Sequence, residues 1–281
     1  FCRDREPAEF QNVLPADISV CFFESPLYPQ ALRAIYDPPF LLYYKGNNLW
    51  PTLNRAVAVI GTRRPTPYGL KHAARITRYL SQQQCCVVSG MALGIDAAAH
   101  RAALQAGGPT VAVLGSGLAK PSPRTHLKLF NELCQKGMVV SEFPPDFSAQ
   151  TWTFPMRNRV VSGLSGAVVV IEAARKSGTL ITVDCAIEQG REVFAMPGPV
   201  DSAQSEGTHN LIQEGAHLLA QPENLSEVMN WAISAPAEQT PLVSNALTNT
   251  QQAVYEVLSE SPQSIENIVN KSKQKLNLVL S

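Results

Sequence analysis

Acidic residues are scarce through the middle of this chain. Between Asp37 and Glu132 the single acid is Asp96, and residues 38–176 hold 16 Lys and Arg against 5 Asp and Glu, a net of +11. Residues 177–270 reverse the balance with one Arg and twelve acids, a net of −11, so a formal charge of zero conceals two opposed halves. Such asymmetry predicts a basic face for a polyanion and a separate acidic surface. No apolar run approaches the ~20 residues of a membrane span, so no membrane partner is expected. The six cysteines (Cys2, Cys21, Cys85, Cys86, Cys134 and Cys185) show no C-x-x-C spacing. That supports neither a zinc site nor a disulfide framework and points to a reducing cytoplasm. The chain opens on Phe1 rather than Met, so a natural N-terminal segment is expected ahead of it.

Catalytic and nucleotide signatures are incomplete. The P-loop pattern G-x-x-x-x-G-K-[ST] is absent, which argues against nucleotide hydrolysis through that device. Gly115-x-Gly117 lacks the third glycine of a dinucleotide fingerprint. Without a G-x-S-x-G elbow, Ser116 reads as a phosphate or turn hydroxyl rather than a nucleophile. Asp96 and His100, four apart on one helix face, could form an acid–base or metal pair. The favoured reading is that Asp96 caps local backbone and His100 packs with its polar atoms satisfied. No catalytic residue, metal or cofactor is predicted, and binding is left as the function.

From residue 56 the sequence alternates short apolar runs with helical patterns. The runs are 56–60, 85–88, 110–114, 138–140, 167–171 and 192–195, apolar throughout, as in strands buried on both faces of a parallel sheet. Helices are predicted over 68–83, 95–106, 125–136, 179–189 and 208–213, with Gly107 and Gly190 at C-cap positions. Repeated β–α units imply an α/β fold, an extended Rossmann-like, doubly wound, mostly parallel sheet. The predicted organisation is an irregular N-terminal segment (1–50), a Rossmann-like domain (51–220), a linker (221–250) and a truncated winged-helix-like tail (251–281).

The most informative stretch runs from Phe154 to Ser165, which sets Arg157, Asn158 and Arg159 between a Phe-Pro turn and a Gly-Ser helix end. A second cluster, Arg175-Lys176-Ser177-Gly178-Thr179, follows the next strand. Guanidinium forks take phosphate oxygens bidentately and glycines let main-chain N–H groups approach. One of these arginines could instead pair with a local acid such as Glu172. Ligands of open α/β sheets bind beyond the strands' carboxyl ends. Five of those ends carry glycine turns: 61–64, 89–96, 115–117, 172–179 and 197–199. Arg63, Arg64, Arg124, Arg157, Arg159 and Lys176 suit a phosphate-tracking groove. Phe143, Phe147, Trp152 and Phe154 interleave with that charge as stacking platforms, or as core and lid packing. Stacking favours single-stranded over duplex nucleic acid.

The motifs resemble the DNA-processing protein A (DprA, also called Smf) family over about residues 25–220. The matching pieces are Val59-Ile60-Gly61-Thr62-Arg63, Val88–Asp96 with Ala99-His100, Val113–Leu118, Ser141–Pro144, Phe154–Ser165, Ile171-Glu172-Ala173, Ser177–Thr182 and Gly190–Gly198. The resemblance implies a homodimeric, non-enzymatic protein that binds single-stranded DNA without base specificity. It also implies loading of the RecA recombinase onto DNA taken up in natural transformation. By position, Arg63, Arg157 and Arg159 match the family's DNA-contacting cations. Gly61, Arg64, Asn158, Lys176, Ser177, Gly178 and Arg124 are carried as neighbours, and Leu211 and Ile212 as dimer contacts. The loop Ala119–Arg124 departs from the family pattern. The N-terminal helical region is reduced and the C-terminal winged helix is cut short. The alternative is a nucleotide-processing enzyme of the phosphoribohydrolase type with Glu172 as its catalytic carboxylate. Against it, Pro197-Gly198-Pro199 does not fit the P-G-G-x-G-T-x-x-E signature such enzymes carry. A dinucleotide-dependent oxidoreductase fails on the fingerprint.

Overall fold

In the computed structural model, residues 14–231, Val257 and residues 264–274 are described. A first compact unit runs to Ser234 and a second from Ala235. In the first, nine strands form one sheet in the order β1-β2-β6-β5-β4-β3-β7-β8-β9. The strands are β1 (Ser19–Phe22), β2 (Leu41–Gly46), β3 (Ala56–Ile60), β4 (Cys86–Ser89), β5 (Thr110–Leu114), β6 (Met138–Ser141), β7 (Ala167–Val170), β8 (Glu192–Ala195) and β9 (His217–Leu218). The pairings β1·β2 and β2·β6 are antiparallel and all the others parallel.

The helices are α1 (Gln30–Arg33), α2 (Pro67–Gln82), α3 (Ile95–Gln105), α4 (Leu127–Lys136), α5 (Thr153–Gly163), α6 (Gly178–Glu188), α7 (Glu206–Gln213) and α8 (Glu223–Val228). Alternation along the buried strands assigns them to two layers. Val57 and Val59 of β3 join Ala73, Ile76 and Leu80 of α2 and Ile95, Ala99 and Ala103 of α3 in one core cluster. Ala56, Ala58 and Ile60 of the same strand join Val160 and Val161 of α5, Val183 and Ala186 of α6 and Leu211 of α7 in another. Leu129, Phe130 and Leu133 of α4 pack with Ala112, Leu114 and Val139. Each fully buried Val or Leu contributes ~1.5–3 kcal/mol, which is why continuous apolar runs drop into the centre of the sheet.

All six predicted strands form, and their ends shift by one residue at most. Gly107 and Gly190 follow their helices with φ of +67° and +66°, the left-handed geometry that a glycine C-cap provides. Two expectations are corrected. The first 50 residues are not irregular throughout, because β1 and β2 extend the sheet and Leu42 is fully buried. Nor is 221–231 linker. Helix α8 lies there with Leu225 fully buried, and the Tyr79 and Ser226 hydroxyls sit 2.8 Å apart. The rest of the predicted linker, 232–250, lies outside the described residues. In the second unit, α9 (Ile265–Ser272) starts at Ser264, whose hydroxyl accepts from the Asn267 N–H. The helix expected around Ala253–Leu258 falls outside the described residues apart from Val257.

Candidate nucleic-acid interface

At the carboxyl ends of β3, β4 and β7 lies a cleft of about 660 Å³. Its walls are the turn after β3, the loop after β4, the first two turns of α5 and the segment leading into α6. The β3 turn is pinned at several points. Thr62 N–H donates to the Glu172 carbonyl at 2.8 Å, Ile95 N–H donates to the Thr62 carbonyl at 3.2 Å, and Arg64 N–H donates to Thr62 Oγ1 at 3.2 Å. Thr66 then caps α2 by accepting from Gly69 N–H at 3.2 Å, with Pro67 at the first helical position. Gly94, at φ +83°, lets the α3 start approach this turn so closely that a Cβ would sit 2.3 Å from the Thr62 carbonyl oxygen.

On this rigid turn Arg63 and Arg64 are exposed, and the Arg63 guanidinium lies 5.5 Å from the Phe154 ring centroid. Across the cleft stands the N-terminus of α6. Ser177 caps it by accepting from Thr179 N–H at 3.2 Å, and a Cβ on Gly178 would meet nothing within 4 Å. The helix therefore presents its positive dipole end to the cleft, beside the exposed Lys176. None of Arg63, Arg64 or Lys176 is in an ion pair among the described residues.

The two arginines of α5 behave differently. Arg157 is 5% exposed. Its Nη1 donates to the carbonyls of Gly90 at 2.5 Å and Val113 at 2.6 Å, and its Nε donates to Asn158 Oδ1 at 3.1 Å. Beside it Asp96 accepts from the N–H groups of Gly90 and Ala92 at 3.1 and 3.4 Å. Burial raises the Asp96 carboxyl above the usual range and lowers the Arg157 guanidinium, while the attraction between the two charges opposes both shifts. Arg159 does not line the cleft. It pairs with Glu142 at 2.6 Å and Asp37 at 3.3 Å.

The predicted cations are thus divided. Gly61, Arg63, Arg64, Asn158, Lys176, Ser177 and Gly178 come together around the cleft. Arg157 is built into its floor rather than offered to a ligand. Arg159 is an ion-paired brace, so the local-acid alternative holds for it, with Glu142 and Asp37 in place of Glu172. Arg124 is exposed but outside the lining. Of the five marked strand ends, two do not contribute. A Cβ on Gly115 would lie 3.1 Å from the Phe154 ring, and Gly117 packs on the Pro144 and Pro145 carbonyls, so the β5 end is occupied by protein. The β8 end is held by Tyr68 Oη donating to the Pro197 carbonyl at 2.6 Å. Thr182, from the end of the Ser177–Thr182 motif, also lines the cleft, as do Thr151 and Gln204, which carry no sequence signal of their own.

Glu172 is 2% exposed and accepts from Thr66 N–H at 3.0 Å and Thr66 Oγ1 at 2.5 Å, so it is committed to the α2 cap outside the cleft. His100 is fully buried with Nδ1 2.8 Å from Thr110 Oγ1. Among the described residues no three His, Cys, Asp or Glu side chains gather as a metal site would need, and no helix is long and apolar enough to cross a membrane. Leu211 is buried in the core at 7% exposure, which leaves little of its surface for a partner subunit, and Ile212 is half-buried. Phe143 and Phe147 stack at 5.2 Å and both meet Trp152 edge-on at 5.9 Å, which leaves Trp152 half-exposed beside the cleft.

The family model for DNA recombination-mediator protein A matches residues 19–230. The chain belongs to this family. It is 43% identical over 230 residues to Protein Smf of Escherichia coli, covering 80% of this chain and 59% of that protein. It is 43% identical over 198 residues to DNA processing protein DprA of Streptococcus pneumoniae, covering 70% of each. The solved structure of the S. pneumoniae DprA superposes with a TM-score of 0.73 at 37% identity, over 82% of this chain and 80% of that one. DNA processing protein A of Helicobacter pylori, solved with its single-stranded DNA binding mode, gives 0.69 at 31% identity, over 76% of this chain and 97% of that one. The DprA match thus spans both helical layers and every wall of the cleft.

Proposed function

We propose that the chain binds single-stranded DNA in this cleft, without base specificity and without chemical turnover. The carrying observation is that Arg63, Arg64 and Lys176, three cations with no ion pair among the described residues, converge with the N-terminus of α6. Phosphates need those cations and N–H groups, and released counterions make such binding salt-dependent. The exposed Trp152 offers an aromatic surface to an unpaired base, whereas the bases of a duplex are already stacked. The single-stranded DNA binding mode of the H. pylori relative supports the same ligand.

The family resemblance extends the proposal to a homodimer that protects incoming DNA and loads RecA during natural transformation. Titration of oligo-dT against a duplex of equal length at two salt concentrations, with the mass of the complex measured, tests the reading. Tighter binding of oligo-dT with a steep salt dependence is expected, together with a complex of two protein chains. Preference for the duplex, or no binding, overturns it. The phosphoribohydrolase alternative loses its carboxylate, because Glu172 faces Thr66 and not the cleft.

A further inference from the structure

Beyond the cleft, the layer formed by α2, α3 and α4 carries exposed cations that no ion pair uses. A groove of about 480 Å³ runs between α3 and α4, floored by Leu104 and Leu129 and rimmed by Arg101, Lys128 and Lys136. All three cations are exposed and, among the described residues, none has an ionic partner. Glu132 is the one acid in the groove, and it pairs with none of them. Three positive charges against one acid around one depression gain from an anion that follows the groove.

Helix α3 links groove and cleft, since Asp96 in its first turn lines the cleft and Arg101, five residues on, lines the groove. His126 Nδ1 lies 3.1 Å from the Met91 carbonyl, and Gly90 and Ala92 on either side of Met91 line the cleft. Two residues before His126 stands the exposed Arg124, and two after it Lys128 opens α4. Lys136 follows two turns further, about 12 Å along the helix axis, and Arg101 lines the same groove from α3. Lys128, Arg101 and Lys136 therefore set positive charge along the groove, with the exposed Arg124 four residues ahead of Lys128 in the chain. No aromatic residue lines the groove, so it offers charge to a backbone and no platform to a base.

We propose that the α3–α4 groove is a second backbone-binding segment of the DNA track, which takes the phosphates of the strand beyond those in the cleft. The proposal rests on the cleft reading and lengthens it. It gives Arg124, which the cleft omits, a place on the path between the two segments.

The test is binding of oligo-dT of about 6 and about 20 nucleotides, the shorter within the span of a single site. The proteins are the full chain, R101A/K128A/K136A and R63A. The triple variant is expected to bind the long strand roughly tenfold more weakly, with a salt slope shallower by about 2, since each lost single-strand phosphate contact removes about 0.7. Its affinity for the short strand should not change. R63A should weaken both lengths. Unchanged long-strand binding in the triple variant, with R63A weakened, overturns the groove and leaves the cleft standing. Weakened long-strand binding in the triple variant with R63A unaffected supports the groove and removes the cleft. Loss of poly-glutamate binding in the triple variant, with DNA binding intact, would give the groove to an acidic protein instead and overturn the proposal.

Discussion

Arg157 Nη1 lies 2.5 Å from the carbonyl oxygen of Gly90, and the guanidinium fills the space that a Cβ at position 90 would take, 2.4 Å from that nitrogen. The glycine and the arginine are matched parts of one floor. The absent side chain admits the cation, and the cation ties the ends of β4 and β5 to α5 through the Gly90 and Val113 carbonyls. A charge spent on backbone oxygens releases no counterions when DNA binds. Replacing Arg157 with Ala leaves two buried carbonyls and the Asp96 carboxylate without their partner, and should cost about 2–4 kcal/mol of stability. DNA affinity should fall because the cleft floor loosens, while the slope against log salt stays as it was. Urea unfolding and a salt titration check both. A slope shallower by about 0.7 with stability intact would make Arg157 a phosphate contact after all.

The same pairing predicts non-additivity. Gly90→Ala sets a methyl against the guanidinium and should destabilise by about 1–3 kcal/mol, as overpacking does. In a G90A/R157A double variant the methyl has room, so the double should lose clearly less stability than the sum of the singles. Additive losses in urea unfolding would show that the two residues do not share this space.

Arg63 gives the opposite signature. It is exposed on a turn that other groups hold in place, so Arg63→Ala should leave the unfolding midpoint within error. Oligo-dT affinity should fall about 5- to 10-fold and the salt slope should become shallower by about 0.7. Equal weakening on oligo-dT and mixed-sequence strands is expected of a phosphate contact. A drop confined to one base composition would reassign Arg63 to base recognition.

The acid limb of stability should report His100. Burial pushes its imidazole down to about 3, against an ordinary value near 6.5. Below about pH 6.5 the unfolded chain takes up a proton that the folded chain refuses. The contribution is therefore complete above pH 6.5 and is lost as pH falls toward 3, by up to ~1.4 kcal/mol per unit. Asp96 works against this, because burial raises its carboxyl, so the folded chain takes up that proton before the unfolded chain does as pH falls. Comparing the pH dependence of His100→Gln with that of the unaltered chain below pH 6.5 cancels the Asp96 contribution and isolates the histidine. His100→Gln should flatten the decline there by about one proton. An unchanged pH slope would show that His100 is not the titrating group.

The parallel core was legible because buried strands must be apolar on both faces, and runs such as Ala56–Ile60 and Thr110–Leu114 have no other use for that composition. Strands β1 and β2 were not, because the Pro29 and Pro38-Pro39 breaks beside them read as irregular chain. Helix α5 was hidden by Pro155, a turn signal that sits in the first helical turn, where a missing N–H costs nothing. The cleft's cations were legible as a class but not one by one. Nothing in Arg157-Asn158-Arg159 tells that one arginine turns inward to the Gly90 and Val113 carbonyls and the other outward to Glu142 and Asp37. That division depends on carbonyls and carboxylates brought from 17 to 122 residues away in sequence, among them Asp37, Gly90 and Glu142.

Glu172 separates binding from catalysis. Both of its oxygens accept from Thr66, one from the N–H at 3.0 Å and the other from the hydroxyl at 2.5 Å. A Cβ on Gly69 would lie 2.2 Å from Oε2, so the carboxylate fills a fixed slot against α2. Glu172→Gln keeps the shape but turns an amide NH2 toward one of these donors, which should cost about 1–3 kcal/mol. The turn carrying Arg63 and Arg64 begins at β3 and ends at this cap, so DNA affinity should fall along with stability. A panel of nucleoside monophosphates should show no turnover with either protein. Hydrolysis by the unaltered chain that disappears in E172Q, with stability unchanged, would assign Glu172 a catalytic role and replace the DNA-binding reading with the enzymatic one.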